Sequence, residues 1–249
     1  MFSFKVFKIC EGVEPGPRIY YLGDPFEEVT IYYYFWLLRD GQNNVLVDTG
    51  VNYVHGKKFS PTMKQNDWER PLKALAKAGV TREEISHIVV THLHWDHFSP
   101  IAYEFPNAHF YVQRRELETV LNPPHPWFSK FTYKRHVKKL VNEYKDRTHI
   151  LDGDETILPG LHLFWTGGHT PGHQSVLFDS DFGHAIITGD VVFMYRNLKE
   201  DLPVGFNSCL LECFNAMERI RKEGDIIFPG HDPHVLSVVE SLEKNTRCH

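Results

Sequence analysis

Cysteine is scarce in this chain: there are four in 249 residues, Cys10, Cys209, Cys213 and Cys248. They form neither a Cys-x-x-Cys metal pair nor a disulfide framework, so reduced thiols are expected. Cys209 and Cys213 are four apart and share a helical face, a spacing that small core side chains also satisfy. Basic charge is in short supply too. Lys and Arg number 27 against 32 Asp and Glu, the formal charge is −5 and the pI is near 6.3. No broad phosphate-neutralising face is available, and nucleic acid is not an expected partner. Apolar runs of about 18 residues, the length of a membrane-crossing helix, are missing. The opening MFSFKVFKICEGVEP has neither an apolar signal core nor a small-residue cleavage site. The expectation is a cytoplasmic protein without a membrane partner.

What the chain does have is 16 histidines, 42% hydrophobic residues, and aromatics concentrated in IYYYFWLL, Ile31 to Leu38. That length and composition predict one α/β domain over residues 1–249. FKVFKI alternates as a half-buried strand, while TIYYYFWLLR and NVLVDTG are β-rich runs joined as a hairpin through Asp40–Asn43. From Asp67, read as an N-cap, the apolar residues Trp68, Leu72, Leu75 and Ala76 follow helical spacing, and Gly79 closes the segment. Thr81 to Glu84 has the capping-box form of a single turn. AHFYVQ reads as a strand and RRELETVL as a helix. Around residues 122–149 an insertion-like segment follows, opened by NPPHPW and continued by a basic amphipathic stretch from Ser129 to Tyr144. LHLFWTGGHTPGH, HAIITGD and DIIFPGH are three further β runs, each ending in a Gly-bearing turn with His or Asp. One helix carries Leu210, Leu211, Phe214, Met217 and Ile220, and another spans Val235 to Lys244.

The densest chemistry is THLHWDH, Thr91 to His97, directly after an apolar run. At this composition a chance His-x-His-x-Asp-His arises on the order of a few times per thousand chains. His92 and His94 project to one side of an extended segment, and Asp96 and His97 follow where the chain bends, so one loop can feed two ligand sets. Imidazole and carboxylate donors with a position left for water are the catalytic kind of metal site. Further donors stand at later strand ends: His169, Asp190 and His231.

In this order, VDTG (with Asp48), THLHWDH, GGHTPGH, TGD and GHD resemble the metallo-β-lactamase superfamily over almost the whole chain. The resemblance implies an αββα sandwich of two mixed β-sheets with outer helices. It implies two divalent metal ions, zinc by preference, with Mn, Fe or Co also accepted by such donors. His92, His94 and His169 would hold one ion and Asp96, His97 and His231 the other, with Asp190 bridging both. Asp48 would orient ligands from behind, and His173 would stand close by. The implied reaction is hydrolysis by a hydroxide shared between the ions, with Asp96 carrying the proton to the leaving group and Asp190 holding the pair.

The bridging Asp190 sets the chain apart from true β-lactamases of the superfamily. Chain length, GHTPGHQS and the aromatic run make it most similar to the N-acyl homoserine lactone lactonases. The implied substrate is a small cyclic ester with an apolar portion, opened at its lactone. Thioester, phosphotriester and other cyclic ester or amide hydrolysis on the same metals are the alternatives, and a homodimer is compatible with the sequence. One position departs from the lactonase pattern. Phe193 stands where those enzymes commonly carry a tyrosine that assists at the substrate carbonyl, and phenylalanine cannot donate. Tyr195, two residues on, is the nearby hydroxyl that could take its place. The aromatic run from Tyr32 to Trp36 can line an apolar pocket or pack alternately into the sheet. The segment Trp127 to Lys145 can cap the site.

Overall fold

A computed structural model describes residues 1–246. Strand β1 (Ser3–Pro15) passes through the short helix α1 (Gly16–Ile19) to β2 (Glu28–Arg39) and β3 (Asn44–Val47). After α2 (Tyr53–Gly56) and α3 (Pro71–Lys77) come β4 (His87–Val89), β5 (His109–Gln113), α4 (Arg114–Leu121), α5 (Lys134–Asn142) and β6 (Thr148–Leu151). The second half runs β7 (Glu155–Leu158), β8 (Leu161–Trp165), β9 (Gln174–Ser180), β10 (Gly183–Ile187), α6 (Tyr195–Lys199), α7 (Leu210–Glu223), β11 (Ile226–Phe228) and α8 (Val235–Thr246).

Two mixed sheets result, one in the order β1-β2-β3-β4-β5-β6 and the other β11-β10-β9-β8-β7. Period-two alternation assigns each strand residue to a layer. Tyr34, Trp36 and Leu38 of β2 face Leu163, Val176, Phe178 and Phe228 of the other sheet and form the core between the sheets. Tyr33, Phe35 and Leu37 point the other way, into a core covered by Leu75, Leu117, Val137 and Leu140 of α3, α4 and α5. On the second sheet, Cys213, Met217 and Ile220 of α7 close the outer layer. This is the expected αββα sandwich. Among the described residues, no helix is long and apolar enough to cross a membrane.

Several local expectations hold. Asp40 accepts from the amides of Gln42 and Asn43 at the hairpin turn, and Thr81–Glu84 is one capped 3-10 turn. Others are corrected. Asp67 does not cap a helix; Asn66 caps a 3-10 turn at Asp67–Glu69, and α3 starts only at Pro71. The proline explains this, because it bars Arg70 from helical dihedrals (φ −60°, ψ 132°). Trp68 therefore lies on the turn and is 61% exposed. The amphipathic stretch is helical only over Lys134–Asn142; a 3-10 turn at Pro126–Ser129 precedes it. Strands β6, β7 and β9 were not anticipated from the sequence. Cys10, Cys209 and Cys213 are free thiols, with Cys10 and Cys213 buried; Cys248 lies outside the described residues.

Candidate metal centre

Strands β8, β10 and β11 run in the same direction, and β3 and β4 are parallel to each other. The loops that leave their C-terminal ends carry every candidate ligand. His92, His94, Asp96 and His97 follow β4, His169 follows β8, Asp190 follows β10, and His231 follows β11. All seven are buried.

They converge as two groups, His92–His94–His169–Asp190 and Asp96–His97–His231–Asp190, with the ligand atoms of each group within 4.8 Å of one another. In the first, His94 Nδ1 is 3.0 Å from His92 Nε2 and 2.9 Å from His169 Nε2. Asp190 Oδ2 lies 3.6 Å from His92 Nε2 and 3.4 Å from His169 Nε2. In the second, Asp190 Oδ1 is 3.0 Å from both His97 Nε2 and His231 Nε2, and Asp96 Oδ2 is 3.5 and 3.7 Å from the same nitrogens. Metal–nitrogen bonds of about 2.0–2.1 Å in a tetrahedron put neighbouring ligand atoms roughly 3.3 Å apart, so both groups have the spacing a divalent ion requires. Asp190 turns one oxygen to each group.

The far side of each ring sets which nitrogen faces the centre. His97 Nδ1 donates to Asp48 Oδ2 at 2.7 Å, His169 Nδ1 to the Phe206 carbonyl at 2.7 Å, and His231 Nδ1 to the Tyr32 carbonyl at 2.8 Å. His92 Nδ1 is 3.1 Å from Thr91 Oγ1, whose own hydrogen goes to Asp48. These partners hold each of the four rings so that its other nitrogen faces the centre. Asp48 adopts φ +63° and also accepts the Thr91 amide. His173 accepts the Asp190 amide at its Nε2, which seats Asp190.

Electrostatics divide the two groups. Burial pushes His92 and His94 well below the ordinary imidazole range and His169 to about 4, which leaves them neutral. Burial also pulls on His97 and His231, but Asp190 and Asp96 outweigh it and hold both rings above their usual value. Asp190 is buried as well, yet the imidazoles of His97, His231 and His92 keep it well below the carboxylate range. His97 Nε2 and Asp190 Oδ1 are nevertheless buried without a hydrogen-bond partner. The two atoms face one another at 3.0 Å without the alignment of a hydrogen bond, an arrangement that fits donors gathered for a cation.

Two further residues hold the loops and were missed from sequence. Glu116 on α4, 1% exposed, accepts the Leu93 amide with Oε1 and the Thr170 hydroxyl and Gly172 amide with Oε2. It ties the His92–His97 loop to the His169 loop. The available signal was a carboxylate four residues before Val120, on the apolar face of its own helix. Gly168 has φ +76°, and a Cβ there would meet the Cys213 amide at 2.9 Å, so only glycine lets the His169 loop rest on α7.

A narrow cleft opens onto the centre. Phe193 lines it, 5.5 Å from the His169 ring and 5.2 Å from His231 between centroids. Tyr195 does not take the place of a hydroxyl there: it starts α6 and donates instead to the Ile227 carbonyl at 3.0 Å. Of the aromatic run, Tyr33 reaches the cleft, while Tyr34 and Trp36 fill the space between the sheets. From the segment Trp127 to Lys145, Phe131 lines the cleft and its carbonyl accepts the Trp95 amide.

Residues 32–231 match the family model described as the metallo-beta-lactamase superfamily. The chain belongs to that superfamily. It is similar to an N-acyl homoserine lactonase from a Bacillus species, 31% identical over 84% of this chain and 84% of the relative. Another of that description, from Azorhizobium caulinodans, is 29% identical over 78% and 76%. Among solved structures, a quorum-quenching N-acyl homoserine lactone lactonase superposes with TM-score 0.78 at 24% identity, covering 93% of this chain and 92% of the other. An N-acyl homoserine lactone hydrolase with N-hexanoyl-L-homoserine bound at its catalytic metal centre gives TM-score 0.78 at 23% identity, over 95% of both chains. The family and fold expected from the sequence motifs are borne out, and the two His/Asp groups have the donors and spacing to hold two metal ions.

Proposed function

We propose that this chain is a dinuclear zinc hydrolase that opens the ring of an N-acyl homoserine lactone-type ester, and that it works in the cytoplasm. The observation that carries this reading is Asp190, whose two oxygens reach separately into two nitrogen groups. The names of the curated relatives support the substrate class, and the free thiols of Cys10, Cys209 and Cys213 support the compartment.

His92, His94 and His169 would hold one ion, Asp96, His97 and His231 the other, and Asp190 both. Bound there, two divalent cations supply Lewis acidity to polarise the ester carbonyl and lower the pKa of water towards neutrality. The protein's own groups do the rest. The Asp48, Phe206 and Tyr32 partners fix the imidazoles before substrate arrives, so no reorganisation is needed during the reaction. Asp96 lines the cleft and is placed to take a proton and return it to the ring oxygen as the ester opens. Ile31, Phe131, Phe193 and Phe206 give the cleft apolar walls that accommodate an acyl portion and exclude water.

The test is a panel of lactones, thioesters and aryl phosphotriesters, assayed with metal content measured alongside. Lactones should be turned over fastest, with about two zinc ions per chain. His94→Ala and Asp190→Asn should abolish turnover while preserving the far-ultraviolet circular dichroism. Full lactonase activity in both metal-depleted variants would overturn the assignment.

A further inference from the structure

The rim of the cleft carries an ion pair that the metal chemistry does not use. Glu14, at the end of β1, is 8% exposed, and its Oε2 accepts from Arg18 Nη1 at 3.1 Å. Both residues line the same cleft as Asp96 and Asp190. The Arg18 guanidinium lies over two aromatic rings, 5.5 Å from the centroid of Phe131 and 5.2 Å from that of Phe206. Phe206 in turn stacks on the ligand His94, with centroids 5.6 Å apart and planes 22° apart. The pair thus stands one aromatic layer from the metal centre.

Its position is built rather than incidental. The Phe206 amide donates to the Arg18 carbonyl at 2.9 Å, while the Phe206 carbonyl accepts from His169 Nδ1 at 2.7 Å. At Gly205 a Cβ would fall 1.9 Å from the Pro17 carbonyl oxygen, so glycine is what allows this loop to close against α1. Arg18 Nε and Nη2 and Glu14 Oε1 have no hydrogen-bond partner among the described residues. The rim therefore offers the cleft a fixed donor beside a fixed acceptor.

We propose that Arg18 and Glu14 determine specificity by reading a neutral secondary amide on the substrate, Arg18 donating to its carbonyl and Glu14 accepting from its N–H. This rests on the lactonase reading above and adds which part of the substrate is recognised. An anionic group suits the rim poorly, because it would be set against the Glu14 carboxylate. An all-alkyl tail suits it no better, since covering a charged pair with hydrocarbon removes its water without replacing the lost hydrogen bonds. An amide supplies both complements, and the Phe131 and Phe206 rings provide an apolar shelf for its plane.

The experiment compares an N-hexanoyl aminolactone with a γ-alkyl lactone of matched length, in the zinc-loaded wild type, Glu14→Gln and Arg18→Met. Calorimetric titration with the two ring-opened products runs in parallel. Glu14→Gln is nearly isosteric, and thermal unfolding of each variant checks its fold. The wild type should prefer the amide-bearing lactone. Each variant should lower its kcat/KM by about tenfold or more, mainly through KM, reducing the preference over the alkyl lactone by at least fivefold; one hydrogen bond to a charged group accounts for a loss of that order. Equal losses on both substrates, or an unchanged preference, would overturn the proposal. If the wild type opens neither lactone, the lactonase reading fails, and the titrations decide the rim alone. Binding of the acyl-amide product that weakens in both variants retains amide recognition, and binding indifferent to them removes it.

Discussion

Replacing Asp48 by Asn exchanges one oxygen for an NH2 group behind the second metal group. Asp48 accepts from three donors: His97 Nδ1, the Thr91 amide and the Thr91 hydroxyl. An asparagine has one acceptor oxygen. Turned towards Thr91, it presents its NH2 to His97 Nδ1, and the ring must move its proton to Nε2, the nitrogen needed for the cation. Turned towards His97, it sets NH2 against the Thr91 amide. Either arrangement strands one buried donor, at a cost of about 1–3 kcal/mol. At 1.4 kcal/mol per factor of ten, that is roughly 5- to 150-fold in metal affinity, in line with the usual effect of removing a ligand's supporting partner. The backbone is not a confounder, because asparagine adopts the left-handed φ of +63° at least as readily as aspartate. Competition with a chromophoric chelator near neutral pH should find one ion weakened far more than the other. At a chelator concentration that leaves wild type fully loaded, the variant should hold about one ion per chain. Unaltered affinity, or equal weakening of both ions, would refute the orienting role assigned to Asp48.

Chelation should lower the melting temperature by at least about 5 °C, because cations bound only by the folded chain stabilise it by mass action, about 2.7 kcal/mol at a hundred times the dissociation constant, and ~2–4 °C per kcal/mol for a chain of this size sets that scale. An identical melting curve with and without chelator in differential scanning fluorimetry would contradict it. Glu116→Gln should cost about 1–3 kcal/mol, or ~2–12 °C, since one amide cannot accept from Leu93, Thr170 and Gly172 together; a melting temperature unchanged within a degree would show that the loops do not depend on this tie. Phe193→Tyr should raise kcat on lactones by about tenfold or more by adding a donor beside the centre. A flat or reduced kcat would mean that a different group serves the carbonyl.

The convergence of the two His/Asp groups was legible in the sequence because their residues cluster locally or end apolar runs, and such positions share a sheet edge whenever the strands are parallel. Asp48 could be read for the same reason, one residue beyond β3. What stayed hidden depends on long-range closure. Glu116 shares the apolar face of its helix, but its partners, 23 to 56 positions away, come to it only when the chain folds. Glu14 ends β1 and Arg18 lies in α1, with nothing in their spacing to link them to residues near 206. Strand β9, QSVLFDS, carries polar ends that mask a buried middle, and β6 and β7 are short edge-region strands with several exposed positions. The start of α3 was misplaced because helical periodicity continued upstream of a proline that forbids it.

Phe206 has a consequence for how this enzyme can change. Its main chain is a strut with one end on the His169 imidazole and the other on the turn that carries Arg18. Any insertion near residue 206 that reshaped the mouth of the cleft would pull on the His169 imidazole as well. Preference for new substrates should therefore arise by exchange of side chains at positions such as 14, 18, 131 and 206, with loop length held constant, and transplanting a longer loop from a relative should loosen metal as it alters selectivity.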